Sequence, residues 1–275
     1  MPNQLKQNRQ KASSRFSVDA YAPSEIAHRV EETAVQKVAQ APGKTFTLGI
    51  LAGAFIAFGA LFYTLVLTGS NLGFGPSRLL GGAAFSLGLI LVVVGGAELF
   101  TGNNLIVMAW ADRKITARAL VRNWTIVYLG NFVGALGVAG LVILSGVFAL
   151  DNGEVGITAT HIAKSKLELS LTEAFFRGIL CNILVCLAVW LCFAARSVTD
   201  KIFAVLLPIT AFVGLGFEHS VANMYAIPVT MMAGALEWQL EPFFRNLIVV
   251  TAGNIVGGGG LVALVYWLIY RTEKS

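Results

Sequence analysis

The 275-residue chain is 56% hydrophobic and 13% charged, with a formal net charge of +5. A soluble domain carries about 25% charged residues, so this composition and a mean hydropathy of +0.73 exclude an ordinary soluble fold and point to an integral membrane protein. The distribution of the positive surplus fits membrane orientation, and no nucleic-acid partner is expected.

Residues 1–44 are polar, with no short apolar stretch before a cleavage-type site, so no secretory signal is expected and the first span serves as its own insertion signal. Within "PSEIAHRVEETAVQKVAQAP", Ile26, Val30, Ala34 and Val38 recur every four residues, with Ser24 placed as a cap. This predicts an amphipathic helix in the cytoplasmic interface or under a neighbour, either a surface anchor or a movable plug. A transmembrane domain over 45–271 follows, then a tail at 272–275.

Six spans are predicted: Thr45–Leu67, Leu79–Leu99, Val121–Leu150, Leu169–Ala195, Ile202–Leu236 and Phe243–Tyr270. A helix needs about 20 residues to cross the hydrocarbon core. The second and fifth regions run longer and carry polar interruptions, "AELFTGNN" and "GFEHSVAN". Exposed backbone at membrane depth is tolerated only inside protein or beside a cavity, so both are expected to be broken helices.

Lys6, Arg9, Lys11, Arg15, Arg29, Lys37 and Lys44 precede the first span. Arg113, Lys114, Arg118 and Arg122 follow the second, Arg196 and Lys201 the fourth, and Arg271 and Lys274 the sixth. Most of the 20 basic residues thus share one side, which the positive-inside rule makes cytoplasmic together with both termini. Trp110, Trp124, Trp238, Trp267 and Tyr270 near span ends suit an interfacial belt.

The chain also repeats itself. Arg122, Asn123, Gly130, Asn131, Val133 and Gly134 match Arg245, Asn246, Gly253, Asn254, Val256 and Gly257 at one offset. Glu98 and Asn103 match Glu218 and Asn223 at a slightly smaller one. Two halves of three spans must enter the membrane from opposite faces, an arrangement whose substrate path lies where the two broken helices meet. The glycines of "GNFVGALGVAG" and "GNIVGGGG" are read as packing positions.

An intramembrane enzyme is disfavoured, because "EH" is not H-E-x-x-H and no second histidine lies at helical spacing. No metal or other cofactor is expected. A receptor or structural protein would show no flux, and a water or glycerol channel has no need of Lys166 and His219. Cys181, Cys186 and Cys192 lack C-x-x-C spacing and read as buried thiols without a disulfide.

The motifs "GGAELFTGN", "RGILCNILVCLAVW", "GFEHSVANM" and "TAGNIVGGG" resemble, in order, those of the formate/nitrite transporter family, over about residues 20–271. The resemblance implies an all-α, aquaporin-like protomer with six transmembrane helices in two inverted three-helix repeats. It further implies a homopentamer in the bacterial inner membrane, each protomer with its own pore. Members pass small monovalent anions or their conjugate acids: formate, nitrite, hydrosulfide, and in some branches lactate or acetate. Carried over by motif, His219 is the central pore histidine, with Glu218 beside it and Thr101 hydrogen-bonded to it. Lys166 belongs to the outer vestibule and Asn182 faces the pore near the histidine. Phe85 and Phe212 form the outer constriction, with Leu89 and Val185 as lining neighbours. "ARSVTDK" and "VRNWTIVYLGN" resemble the formate branch; the short link "ALEWQLEPFF" departs from it.

Physical chemistry narrows the mechanism independently. A bare carboxylate in a low-dielectric medium costs tens of kcal/mol. Protonating an acid of pKa about 3.7 at pH 7 costs roughly 4–5 kcal/mol. The expected permeant species is therefore the neutral acid or an anion–proton pair. Lys166 gathers the anion, and the neutral imidazole of His219 donates a hydrogen bond or relays a proton. Glu98 and Glu218 are expected to tie backbone groups at the half-helices.

Overall fold

The structure is a computed structural model describing residues 19–271. Lys6, Arg9, Lys11, Arg15, Lys274 and the tail 272–275 lie outside the described residues. All regular structure among the described residues is helical.

Helix α1, Pro23–Ala39, opens with proline at its first position, where a missing N–H leaves nothing unsatisfied. The cap expected at Ser24 lies two residues earlier: the Ala22 N–H donates to Glu25 Oε2 at 2.9 Å. Its apolar stripe packs under neighbouring helices, with Ile26, Val30 and Ala34 buried among Leu105, Met108 and Trp190. Glu31, fully buried, accepts from Lys114, which also reaches Asp112 at 2.9 Å. Partial burial pulls the Lys114 pKa down, but its hydrogen bonds to Glu31 and Asp112 prevail and hold it above 10.5. This tie is therefore intact at neutral pH and is lost only as pH rises through that raised value.

Five stretches are long and apolar enough to cross a membrane. They are α2 (Pro42–Leu67), α3 (Phe74–Gly95), α5 (Ala117–Leu144), α7 (Leu171–Ala194) and a continuous rod, Leu240–Tyr270. The rod comprises α11 (Leu240–Ile255), a π-helical stretch (Val256–Leu264) and α12 (Val265–Arg271). Between α7 and the rod lie α8 (Val198–Gly214), α9 (Ser220–Ala226) and α10 (Pro228–Met232); a short α4 (Val107–Ala111) follows α3.

Two differences from the sequence expectation have clear causes. The third stretch stops at Leu144, six residues before the predicted end, because Gly146 turns the chain with φ +71°. The connection after it is not a plain loop: Glu154–Leu167 forms α6, a helix whose Thr, His and Lys content hides it from a search for spans.

Small residues set how closely the helices approach. A methyl group on Gly134 of α5 would fall 1.9 Å from the Ile50 carbonyl of α2. One on Gly257 would fall 2.2 Å from the Ile179 carbonyl of α7. Backbone cannot yield as a side chain does, so Gly134→Ala is expected to cost at least the 1–3 kcal/mol typical of overpacking, that is about 1–3 kcal/mol or more. The check is the thermal midpoint of the detergent-solubilised protein, with Gly137→Ala, where a methyl meets nothing within 4 Å, as the control that should be neutral.

Candidate functional site

The site is built where α3 and α8 stop. Helix α3 ends at Gly95, Gly96 adopts φ +79°, and the chain winds again only from Gly102, as a 3-10 turn to Ile106. Helix α8 ends at Gly214, Gly216 adopts φ +74°, and α9 begins at Ser220. The two extended links face each other across the protein, and each is held by an asparagine.

Asn131 of α5 donates to the Gly49 and Glu98 carbonyls at 2.8 and 2.9 Å and accepts from the Phe100 N–H at 2.9 Å. Asn254 of α11 repeats the pattern, donating to the Gly178 and Glu218 carbonyls at 2.8 and 3.0 Å and accepting from the Ser220 N–H at 3.0 Å. Each buried amide thus satisfies two link backbone groups that have no helical partner and ties them to a glycine carbonyl of a continuous neighbouring helix.

The carboxylates do something other than tie backbone. Glu218 accepts from Lys166 Nζ at 2.9 Å and Asn223 Nδ2 at 2.7 Å, and Asn223 also donates to Asn246 Oδ1 at 2.8 Å. Glu98 accepts from Lys37 Nζ at 3.0 Å and Asn103 Nδ2 at 2.7 Å, and Asn103 also donates to Asn123 Oδ1 at 3.1 Å. The expected backbone role belongs to the main chain of these residues, while their side chains neutralise lysines. Two Lys–Glu–Asn–Asn clusters result, one on each side of the links.

Sequence reasoning missed Lys37, counting it only toward orientation. A signal was present: Lys37 and Lys166 each lie twelve residues before a helix glycine, Gly49 and Gly178. Both glycines supply the carbonyl that an asparagine grips.

His219 occupies the cap of α9. Its Nδ1 accepts the Ala222 N–H at 3.1 Å, which in the neutral ring puts the proton on Nε2, facing Thr101 Oγ1 at 2.9 Å. With its oxygen accepting from the imidazole, the Thr101 hydroxyl keeps its own proton to donate. Asn182, fully buried, spends its amide on the Asn254 and Thr101 carbonyls at 2.7 and 3.3 Å. A methyl on Gly258 of the π-helical stretch would fall 2.3 Å from Asn182 Nδ2, so that glycine leaves the room Asn182 occupies.

Two cavities flank these links. One, about 670 Å³, is lined by Lys166, Glu218, His219, Phe85 and Phe212 among others. The other, about 530 Å³, is lined by Lys37, Glu98, Asn103, Leu89 and Leu99 among others. Phe85 and Leu89, one turn apart on α3, reach opposite cavities and are both buried. The Phe85 ring meets Phe212 edge-on at 5.6 Å, and Phe212 stacks on the His219 ring at 5.9 Å. Thr101, Asn182 and Val185 are buried beside these cavities and are not among their lining residues. The described residues hold no cluster of three or more metal-ligating side chains.

A chain with this fold and these clusters has close relatives. It is 44% identical to "Formate channel FocA" of Escherichia coli (strain K12), over 94% of this chain and 97% of that one. A solved structure titled "Pentameric formate channel with formate bound" matches with a TM-score of 0.77 at 44% identity, covering 84% of this chain and 98% of that one. An "FNT family ion channel" matches with a TM-score of 0.82 at 28% identity, covering 89% and 98%. Residues 24–268 match the family described as formate/nitrite transporter. This multi-pass membrane protein belongs to the formate/nitrite transporter family.

Proposed function

We propose that the chain is a channel for small monovalent carboxylates, formate foremost, with one pore in each protomer of a homopentamer. The relatives named as formate channels support the substrate, and the pentameric neighbour supports the assembly. In this reading α8 with α9 and α10 makes the fifth span, broken, α3 with α4 makes the second, also broken, and the halves are inverted. The Lys37 end faces the cytoplasm of a bacterial inner membrane, with both termini, as the basic residues before α2 and after α3 suggest.

The observation that carries the proposal is the pair of cavities, each lined by a Lys–Glu ion pair, separated by buried Phe85, Leu89 and Phe212. Lys166 and Lys37 would draw anions to either face, each lysine partly offset by its glutamate, so attraction stops short of trapping. At the apolar neck the bare anion is too costly and the protonated form passes. His219 and Thr101 lie directly behind that neck, positioned to give a hydrogen bond or a proton as the carboxylate sheds water. Asn182 then acts as a positioning residue behind Thr101, and Val185 fills the core beside it.

The test is counterflow of labelled formate, nitrite, acetate, lactate and hydrosulfide into liposomes at two pH values. Formate should exchange well above protein-free vesicles and faster at the lower pH. Formate exchange no faster than in empty vesicles would end the proposal; faster nitrite or hydrosulfide would move the substrate within the family.

A further inference from the structure

The cavity on the Lys166 side contains a feature that the neck chemistry does not use. Arg78 enters it from α3 and Arg177 from α7. Arg78 donates from Nε to the Gly214 carbonyl, from Nη2 to the Val213 carbonyl and from Nη1 to the Tyr63 hydroxyl, at 3.0, 3.0 and 2.9 Å. Three of its five N–H groups are thereby spent and its plane is fixed. Arg177 makes one long contact, Nη1 to the Gly216 carbonyl at 3.4 Å.

The two guanidinium groups converge over one residue. A methyl on Gly216 would fall 2.9 Å from Arg78 Nη2 and 3.9 Å from Arg177 Nη1. Like charges so placed repel unless an anion offsets them. No carboxylate of the described residues pairs with either arginine. Glu218, in the same cavity, is taken by Lys166 and Asn223. Glu173, one turn before Arg177, is turned to the helix cap, accepting from the Ser170 hydroxyl and N–H at 2.8 and 3.0 Å.

We propose that Arg78 and Arg177 form an anion-docking station in the Lys166-side cavity, taking a small carboxylate or similar planar oxyanion before it reaches Lys166. The station rests on the channel assignment for its purpose, although not for its chemistry. A planar carboxylate matches the fixed forks of guanidinium groups, which stay charged at any working pH. Arg78 is the anchored member, and Arg177, with most of its N–H groups uncommitted, is the one that reaches for the ligand. Lys166 is already committed to Glu218, so the station supplies positive charge that no carboxylate of the described residues pairs with directly; Glu173 acts on Arg177 only at a distance, its own oxygens held by Ser170.

Two measurements on the full chain test this. In the first, the detergent-solubilised protein is treated with phenylglyoxal at rising formate concentration, and modification of each arginine is followed by mass spectrometry. Formate should slow modification of Arg177 several-fold while leaving Arg245, which pairs with Glu241 at 3.7 Å, as the reference. Equal slowing at both arginines would overturn the station. In the second, formate uptake into liposomes is measured against concentration. Arg177→Gln should raise the half-saturating concentration about tenfold, as loss of about 1.4 kcal/mol of binding would, with the saturated rate within about twofold. Arg177→Lys should recover part of that loss. A fall in saturated rate at unchanged half-saturation would show a structural arginine instead and overturn the proposal. Should the wild-type protein carry no formate at all, the channel assignment fails while the protection experiment still decides the station.

Discussion

His219→Asn is expected to change the pH dependence of formate flux, leaving only the rise toward low pH that the supply of neutral acid dictates, while the protein stays folded. Asparagine is among the best helix-capping residues, so its side-chain oxygen can still accept the Ala222 N–H that His219 Nδ1 now accepts at 3.1 Å. The contact to Thr101 and every titration at that position are lost. His219→Ala removes the cap as well and leaves the buried Ala222 N–H without a partner, at a cost of about 1–3 kcal/mol. The alanine protein should therefore show both the altered pH profile and lower stability; the asparagine protein should show the altered profile alone. Flux into proteoliposomes between pH 5 and 8, beside unfolding midpoints of all three proteins, separates the two effects. A wild-type pH profile in the asparagine variant would refute any proton role for the imidazole.

Lys37→Gln is the second large effect. It strips the cation from Glu98, whose carboxylate is nearly inaccessible to water. Breaking one side of a buried ion pair costs about 3–5 kcal/mol, because the remaining charge is uncompensated. Lys37 keeps some contact with solvent, so the lower end of that range applies. The double variant Lys37→Gln, Glu98→Gln removes both charges and should regain most of the loss. Chemical denaturation of the three proteins measures this directly; a double variant as unstable as the single one would show that Lys37 acts through packing. Flux reports the other half of the role: the single variant leaves an unpaired negative charge in the cavity and should raise the half-saturating formate concentration, whereas the double variant, neutral as the wild-type pair is, should regain most of it.

Hydrophobic run length made the apolar stretches legible, and glutamate and asparagine repeats pointed to the two links. His219 stood out because an imidazole between two apolar flanks has few reasons to be there. By the offset that pairs Glu98 with Glu218, the position matching it is Leu99, so the imidazole has no counterpart in the other link. What escaped the sequence reading was long-range pairing. Nothing local in "AVQKVAQ" says that Lys37 reaches a glutamate sixty-one positions later. Helix α6 escaped because its helical pattern is amphipathic and polar, without the apolar run that marked its neighbours. The π-helical stretch escaped because four glycines predict flexibility as readily as they predict a wide turn packed against Asn182.

The matched spacing of the lysines has a mechanical consequence. Shifting α1 forward by the interval that separates Lys37 from Lys166 lays it on α6, so the two lysines stand at matching places on their helices. Each reaches its glutamate from a helix outside the five long apolar stretches. Displacing α1 or α6 as a body would therefore part a lysine from its glutamate without unwinding any of the five.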